Sequence, residues 1–193
     1  MQLRRSCLSS DMADKVSQRL VIDASVARSV GGEDATYPIS VYCRDFLEAV
    51  LDISHRVVMT PDIRDEWHKH QSKYARKWLR RMVANKKLYP CEIVVDDELW
   101  SQIEAVTESD KARGAMIKDI RLIEAALATD KIVISLDEKV RQLFEKASEQ
   151  VDELKEIVWV NPAKPEEQAM FWLENGAAPE KERKLGFRSE EVG

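Results

Sequence analysis

Four short runs, RLVID (19–23), RVVMT (56–60), KIVIS (131–135) and EIVWV (156–160), are apolar on consecutive residues and rich in Val and Ile. A strand with one wet face alternates apolar and polar residues. These runs show no period of two, which is the pattern of strands covered on both faces in a parallel sheet. A fifth run, CEIVV (91–95), has the same character in weaker form.

Helix-period segments lie between the runs: 39–53, 61–83, 97–106, 112–128 and 137–147. In the first, Val41, Phe46, Val50 and Ile53 fall near one face, and in the second Pro61 follows Thr60 as a first-turn proline behind a capping hydroxyl. Strands alternating with helices predict an α/β fold, a three-layer α/β/α sandwich. The core domain is expected over 18–162, with a flexible leader over 1–17, a short helix at 165–175 and a mobile tail from about Ala177. At 193 residues, 44% of them apolar, the chain suffices for one substantial core.

Three widely spaced cysteines, Cys7, Cys43 and Cys91, have no CxxC spacing, so neither a disulfide framework nor a zinc knuckle is indicated. With no apolar run near the roughly 18 residues a membrane helix needs, a soluble cytoplasmic protein is expected. SVGGED (29–34) lacks both phosphate-cradling glycine spacings and reads as a turn, which excludes a nucleotide-loop reading.

In open parallel sheets the working crevice lies beyond the carboxyl ends of the strands. Asp23 closes the first run and Asp137 follows the third. After Thr60 come Asp62, Asp65 and Glu66. The first two have an ordinary explanation, because acids at a helix N-terminus gain about 0.3–1 kcal/mol each from the macrodipole. Glu66 lies further in, flanking the side defined by Ile63, Trp67, Tyr74 and Trp78. Asp119 shares a helix face with Met116, Ile123 and Ala126, an unusual place for a solvated acid. Clustered carboxylates resist ionisation, and a divalent cation with a preference for hard oxygen ligands, Mg²⁺ or Mn²⁺, removes that objection. On spacing alone the bland reading, that 35 acids place one near every strand end by chance, stands beside the functional one.

Taken in order, LVIDASVA (20–27), VVMTPDIRDEW (57–67), KDIRLIEAALATDKIVISLD (118–137) and IVWVNP (157–162) resemble the PIN domain, a family of metal-dependent nucleases. The resemblance implies a five-stranded parallel sheet in the order 3-2-1-4-5. It also implies that Asp23, Glu66, Asp119 and Asp137 take the family's four acidic positions, as catalytic and metal-holding residues for Mg²⁺ or Mn²⁺. Ser135 falls where such domains often carry a hydroxyl that orients the acids. The implied activity is endoribonuclease cleavage of RNA. The implied partner is an antitoxin protein, as for many compact bacterial PIN toxins; a homodimer is compatible with the sequence, which does not fix the oligomeric state. The long stretch between Glu66 and Asp119 departs from the family pattern, which bears on substrate contacts rather than on the acids.

Net charge is −5, so any polyanion site must be local. Residues 64–88 hold nine Lys or Arg against Asp65 and Glu66, a net +7 that leaves −12 for the rest of the chain. On one continuous helix over 61–83, Lys69, Lys73, Arg76, Lys77 and Arg80 fall opposite Trp67, Tyr74, Trp78 and Met82, giving a nucleic-acid-binding stripe or, on the bland reading, a solvated face. The aromatics are read as core. His68 and His70 diverge on a helix and suit surface or partner contacts rather than a metal, and His55 reads as an ordinary loop residue.

Two other classes compete. A catalytically silent PIN-fold RNA-binding or scaffold protein keeps the fold but not the chemistry. A phosphoacceptor receiver domain also places acids at strand ends, but needs an acid pair after the first strand and a lysine after the last, which DASV and VNPAKP fit poorly.

Overall fold

The computed structural model describes residues 17–32, 34 and 36–188, so the expected leader lies outside the described residues except for Ser17. Five strands form one sheet: β1 (Arg19–Ile22), β2 (Arg56–Met59), β3 (Leu88–Pro90), β4 (Ile132–Ile134) and β5 (Val158–Val160). Every pairing is parallel and the order is β3-β2-β1-β4-β5. The registers Leu20↔Val57, Val21↔Val133 and Val133↔Trp159 align the Val/Ile runs across the sheet. Leu20, Val21 and Ile22 on the central strand, and all of β4 and β5, are buried, which is why these runs do not alternate.

Among the described residues eight α-helices accompany the sheet: α1 (Ala24–Ser29), α2 (Pro38–Asp52), α3 (Pro61–His70), α4 (Lys73–Ala84), α5 (Asp97–Val106), α6 (Asp110–Leu127), α7 (Glu138–Ala147) and α8 (Ala169–Glu174). α2 packs on α1, α4 and α8, whereas α6 packs on α7 and lies against β1 and β4. α3 touches both α1 and α6, so it spans the two helical layers at the carboxyl edge of the sheet. None of the described helices is long and apolar enough to cross a membrane.

Three expectations need correction. The fifth strand is Leu88–Pro90, not CEIVV: the ladder reaches Cys91, whose N–H bonds Met59 O at 3.4 Å, and the chain then leaves the sheet. This edge offers a neighbour on one side only, and Val94 is left 89% exposed, so a β-branched run without a covering surface does not become a strand. The single helix over 61–83 is two. Gln71 is extended (φ −61°, ψ 138°), Ser72 N donates to Ala27 O at 3.2 Å, and Ser72 Oγ accepts from Ala75 N to begin α4. Of the segment expected to be a mobile tail, the described part, up to Arg188, packs against the edge of the sheet, and 189–193 lie outside the described residues. Leu185 is fully buried, its N–H bonds Ile157 O at 2.8 Å, and Lys184 bridges Val158 antiparallel, covering the free edge of β5.

His55 lies in the loop between α2 and β2, as expected, but it is not an ordinary loop residue. It is fully buried, and its Nδ1 accepts from Gln18 N at 3.0 Å while Nε2 lies 3.1 Å from Leu173 O. Those partners set the neutral tautomer with its proton on Nε2, and they tie the entry of β1 to α8.

Candidate functional site

At the carboxyl edge the elements deliver acids by different routes. Asp23 N bonds Ile134 O at 2.9 Å, which extends the central ladder by one residue and fixes the Asp23 Cα. Asp23 is the N-cap of α1, but its side chain makes no cap bond. Its Oδ2 accepts instead from Ser135 Oγ at 2.8 Å and, in a short contact, from Ser25 Oγ. Ser135 is buried and also accepts from Asp137 N at 3.1 Å, so one hydroxyl joins the acid after β1 to the acid after β4.

Asp137 is a helix cap as well as a candidate ligand. Oδ1 accepts from Lys139 N and Val140 N, both at 3.0 Å, which starts α7, and Oδ2 has no hydrogen bond among the described residues. Asp119 arrives on α6, whose buried face carries Met116, Ile120 and Ile123. The Asp119 carboxylate has no hydrogen bond or ion pair among the described residues. Burial, then the charges of Asp23 and Asp137, with a further push from Glu66, raise its pKa to about 7 against a small opposing pull from Lys118.

Asp23, Asp62, Asp65, Glu66 and Asp119 line one cavity of about 590 Å³ with Lys69, Lys118 and Arg121. Asp137 is not in its wall and reaches it only through its field at Asp119. Glu66, with a 52% exposed side chain, accepts from Lys69 Nζ at 2.7 Å and lies 3.4 Å from His70 Nε2; the lysine bond holds its carboxyl below the usual range. Among the described residues no three His, Cys, Asp or Glu side chains are grouped so as to hold a metal ion as they stand. Compared with known proteins, the chain matches no family model and no curated protein.

By the chemistry of their donor atoms, though not by their grouping as they stand, the acids suit a hard divalent cation. Their oxygens are carboxylate only, Asp119 has no other partner among the described residues, and three further acids raise the cost of its ionisation. Asp23 and Asp119 in the cavity would hold the ion, with Glu66 and Asp137 flanking them.

The expected basic stripe is divided by the break at Gln71–Ser72. Lys69 lines the acidic cavity, whereas Lys73, Arg76, Lys77 and Arg80 line a second cavity of about 660 Å³ with Gly32, Asp34 and Tyr74. Trp67 and Trp78 are buried and stacked, ring centroids 5.7 Å apart, and Tyr74 OH donates to Glu48 Oε1. His68 and His70 are exposed.

Sequence reasoning passed over Ser25, Glu124 and Arg121. Ser25 had a usable signal, a hydroxyl two residues after a strand-end acid. Glu124 is an acid inside the apolar run RLIEAALA, and it is buried.

Proposed function

We propose that this chain is a PIN-like, metal-dependent endoribonuclease that hydrolyses RNA phosphodiester bonds at the carboxyl edge of its sheet. The observation that carries this reading is Asp119, a partly buried carboxylate without a partner among the described residues, facing three other acids from separate elements. A buried charge is ordinarily paired or bound to a metal, and no cationic side chain among the described residues pairs with this one. Mg²⁺ or Mn²⁺ bound there would polarise the scissile phosphate and make a bound water more acidic.

The protein's own groups have distinct tasks. Asp23, fixed by the β1–β4 ladder and oriented by Ser135 and Ser25 through Oδ2, lines the cavity with its Oδ1 free of hydrogen bonds among the described residues. Asp119 supplies the second carboxylate, Glu66 and Asp137 flank the pair, and Lys69 and Lys118 at the wall offset the charge of an entering phosphate. Lys73, Arg76, Lys77 and Arg80 would track the RNA backbone away from the acids, with the salt dependence that phosphate contacts impose.

A second reading, a catalytically silent RNA-binding or scaffold protein, is favoured by Glu66 being paired outward with Lys69 and by Asp137 spending Oδ1 on a helix cap. Incubation of purified protein with structured and unstructured RNA and Mn²⁺, beside EDTA and Asp119→Asn controls, separates the two. Cleavage lost in both controls supports the nuclease. Cleavage that survives both overturns it, and RNA binding without cleavage establishes the silent reading.

A further inference from the structure

Arg121 lies two residues beyond Asp119 on α6 and lines the same cavity. Its guanidinium is braced from three directions. Nη1 donates to Glu124 Oε2 at 2.8 Å, the Trp100 ring lies 5.5 Å from the guanidinium carbon, and Nε faces Asp62 Oδ2 at 3.6 Å. The last spacing is an ion pair but too long for a hydrogen bond.

Glu124 is itself anchored. It is 3% exposed, and its Oε1 accepts from Trp100 Nε1 at 3.0 Å and from Asp96 N at 3.2 Å. A buried carboxylate needs a counter-charge, which explains one edge of the Arg121 fork. It does not explain the other. Nη2 has no hydrogen-bond partner among the described residues, and Nε has only the long ion pair to Asp62, whose side chain is 66% exposed. A guanidinium offers five N–H donors in a planar array that matches two oxygens of a phosphate. Its bracing by Glu124 and Trp100 means that little side-chain freedom is lost on binding.

We propose that Arg121 forms a phosphate subsite at the mouth of the acidic cavity, gripping a backbone phosphodiester of single-stranded RNA next to the one that meets the acids. The identity of this anion rests on the nuclease reading; the fixed, half-used guanidinium does not. Lys118 and Lys69 on the same wall would add charge there without the planar fork.

The test is binding of a fluorescein-labelled oligouridylate, in EDTA so that nothing is cut, across a range of salt concentrations. Wild type is compared with Arg121→Gln, which keeps a donor toward Glu124, and with Arg121→Lys, which keeps the charge. Loss of one phosphate contact lowers the slope of log affinity against log salt by about 0.7. We expect that change for Arg121→Gln, with roughly tenfold weaker binding at low salt, and an unchanged slope with severalfold weaker binding for Arg121→Lys. Identical affinity and slope in wild type and Arg121→Gln overturn the subsite, as does failure of wild type to bind the oligonucleotide. If Arg121→Gln does not fold, Arg121→Lys decides alone: weaker binding at the wild-type slope supports the fork, and unchanged binding overturns it. Cleavage is scored separately with Mn²⁺, so an uncut but Arg121-dependent ligand removes the nuclease reading and leaves the subsite standing.

Discussion

Ser135 Oγ donates to Asp23 Oδ2 at 2.8 Å across the junction of β1 and β4, and the same oxygen accepts from Asp137 N. One buried hydroxyl therefore joins the carboxylate that follows β1 to the main chain of the acid that follows β4. Ser135→Ala leaves Asp137 N–H without that partner and leaves the Asp23 side chain held by Ser25 alone. Removal of such an orienting group around a metal site costs roughly 10–100-fold. We expect kcat for RNA cleavage to fall by about tenfold with little change in KM, and the unfolding free energy by about 1–2 kcal/mol. Steady-state cleavage and urea melts check both; an unchanged kcat removes Ser135 from the site.

Asp119 gives the site a pH signature. Its pKa is raised from the ordinary carboxylate value to about 7 in the folded protein, chiefly by burial and then by Asp23 and Asp137. The folded state therefore holds a proton that the unfolded chain releases near pH 4. This stabilising proton is fully present below pH 4 and lost as pH rises through about 7. In EDTA the wild-type melting temperature should fall between pH 5 and 8 more steeply than that of Asp119→Asn. At about 1.4 kcal/mol per tenfold change in proton affinity, the difference is on the order of 4 kcal/mol at most. Mn²⁺ should raise the melting temperature of wild type at pH 8 and leave Asp119→Asn nearly unmoved. Parallel pH profiles for the two proteins would contradict this account of Asp119.

The Val/Ile runs revealed the sheet because four of five strands are buried on both faces, and burial on both faces writes itself into consecutive residues. Strand order was not legible from periodicity, and came from the likeness of the acid-bearing segments to the PIN pattern. Features fixed by distant partners left weaker marks. Ser72 caps α4, but the break it makes depends on a bond to Ala27, 45 residues earlier. Leu185 and Phe187 are isolated apolar residues in a polar stretch, and it is the open edge of β5 that makes a place for Leu185. Asp119 stood out because an acid on an apolar face violates helix patterning. Arg121 did not, because an arginine next to such a face is ordinary.

The C-terminal strap should be sensitive at Gly186. A Cβ there would lie 2.8 Å from Lys155 Cβ and 2.9 Å from its Cα, atoms fixed to the backbone. Gly186→Ala must shift the strap or the turn at Lys155, at a cost of about 1–3 kcal/mol. We expect earlier proteolytic loss of the segment after Ala178 with cleavage activity retained. Wild-type resistance to protease would show that the strap is not held here.

His55→Ala removes both tethers between the entry of β1 and α8. Gln18 N–H loses its side-chain partner, Leu173 C=O keeps only its bond from Gly176 N at 3.1 Å, and a fully buried ring leaves a cavity. A loss of about 2–4 kcal/mol is expected, measured by urea unfolding. His55→Gln should recover part of it, because an amide can satisfy one of the two tethers. A loss below 1 kcal/mol would mean that the two segments are held without the ring.

Trp67 and Trp78 provide a matched pair that separates stability from site geometry. Both are buried, they stack on each other, and each indole N–H reaches a main-chain carbonyl: Trp67 to Ile22 O at 2.8 Å, Trp78 to Leu47 O at 2.7 Å. Replacement by Phe keeps most of the apolar contact and removes the bond in either case, at about 1–3 kcal/mol. The acceptors differ in position. Leu47 lies within α2, away from the acids, whereas Ile22 is the last residue of β1 and immediately precedes Asp23. The Trp67 bond thus ties α3, with Glu66, to the strand end that carries Asp23. Trp67→Phe and Trp78→Phe should show similar shifts in denaturation midpoint, but only Trp67→Phe should lower kcat, by about tenfold if the acids are displaced by a few tenths of an ångström. Equal activity in the two variants would mean that α3 is positioned by its contacts with α1 and α6 alone.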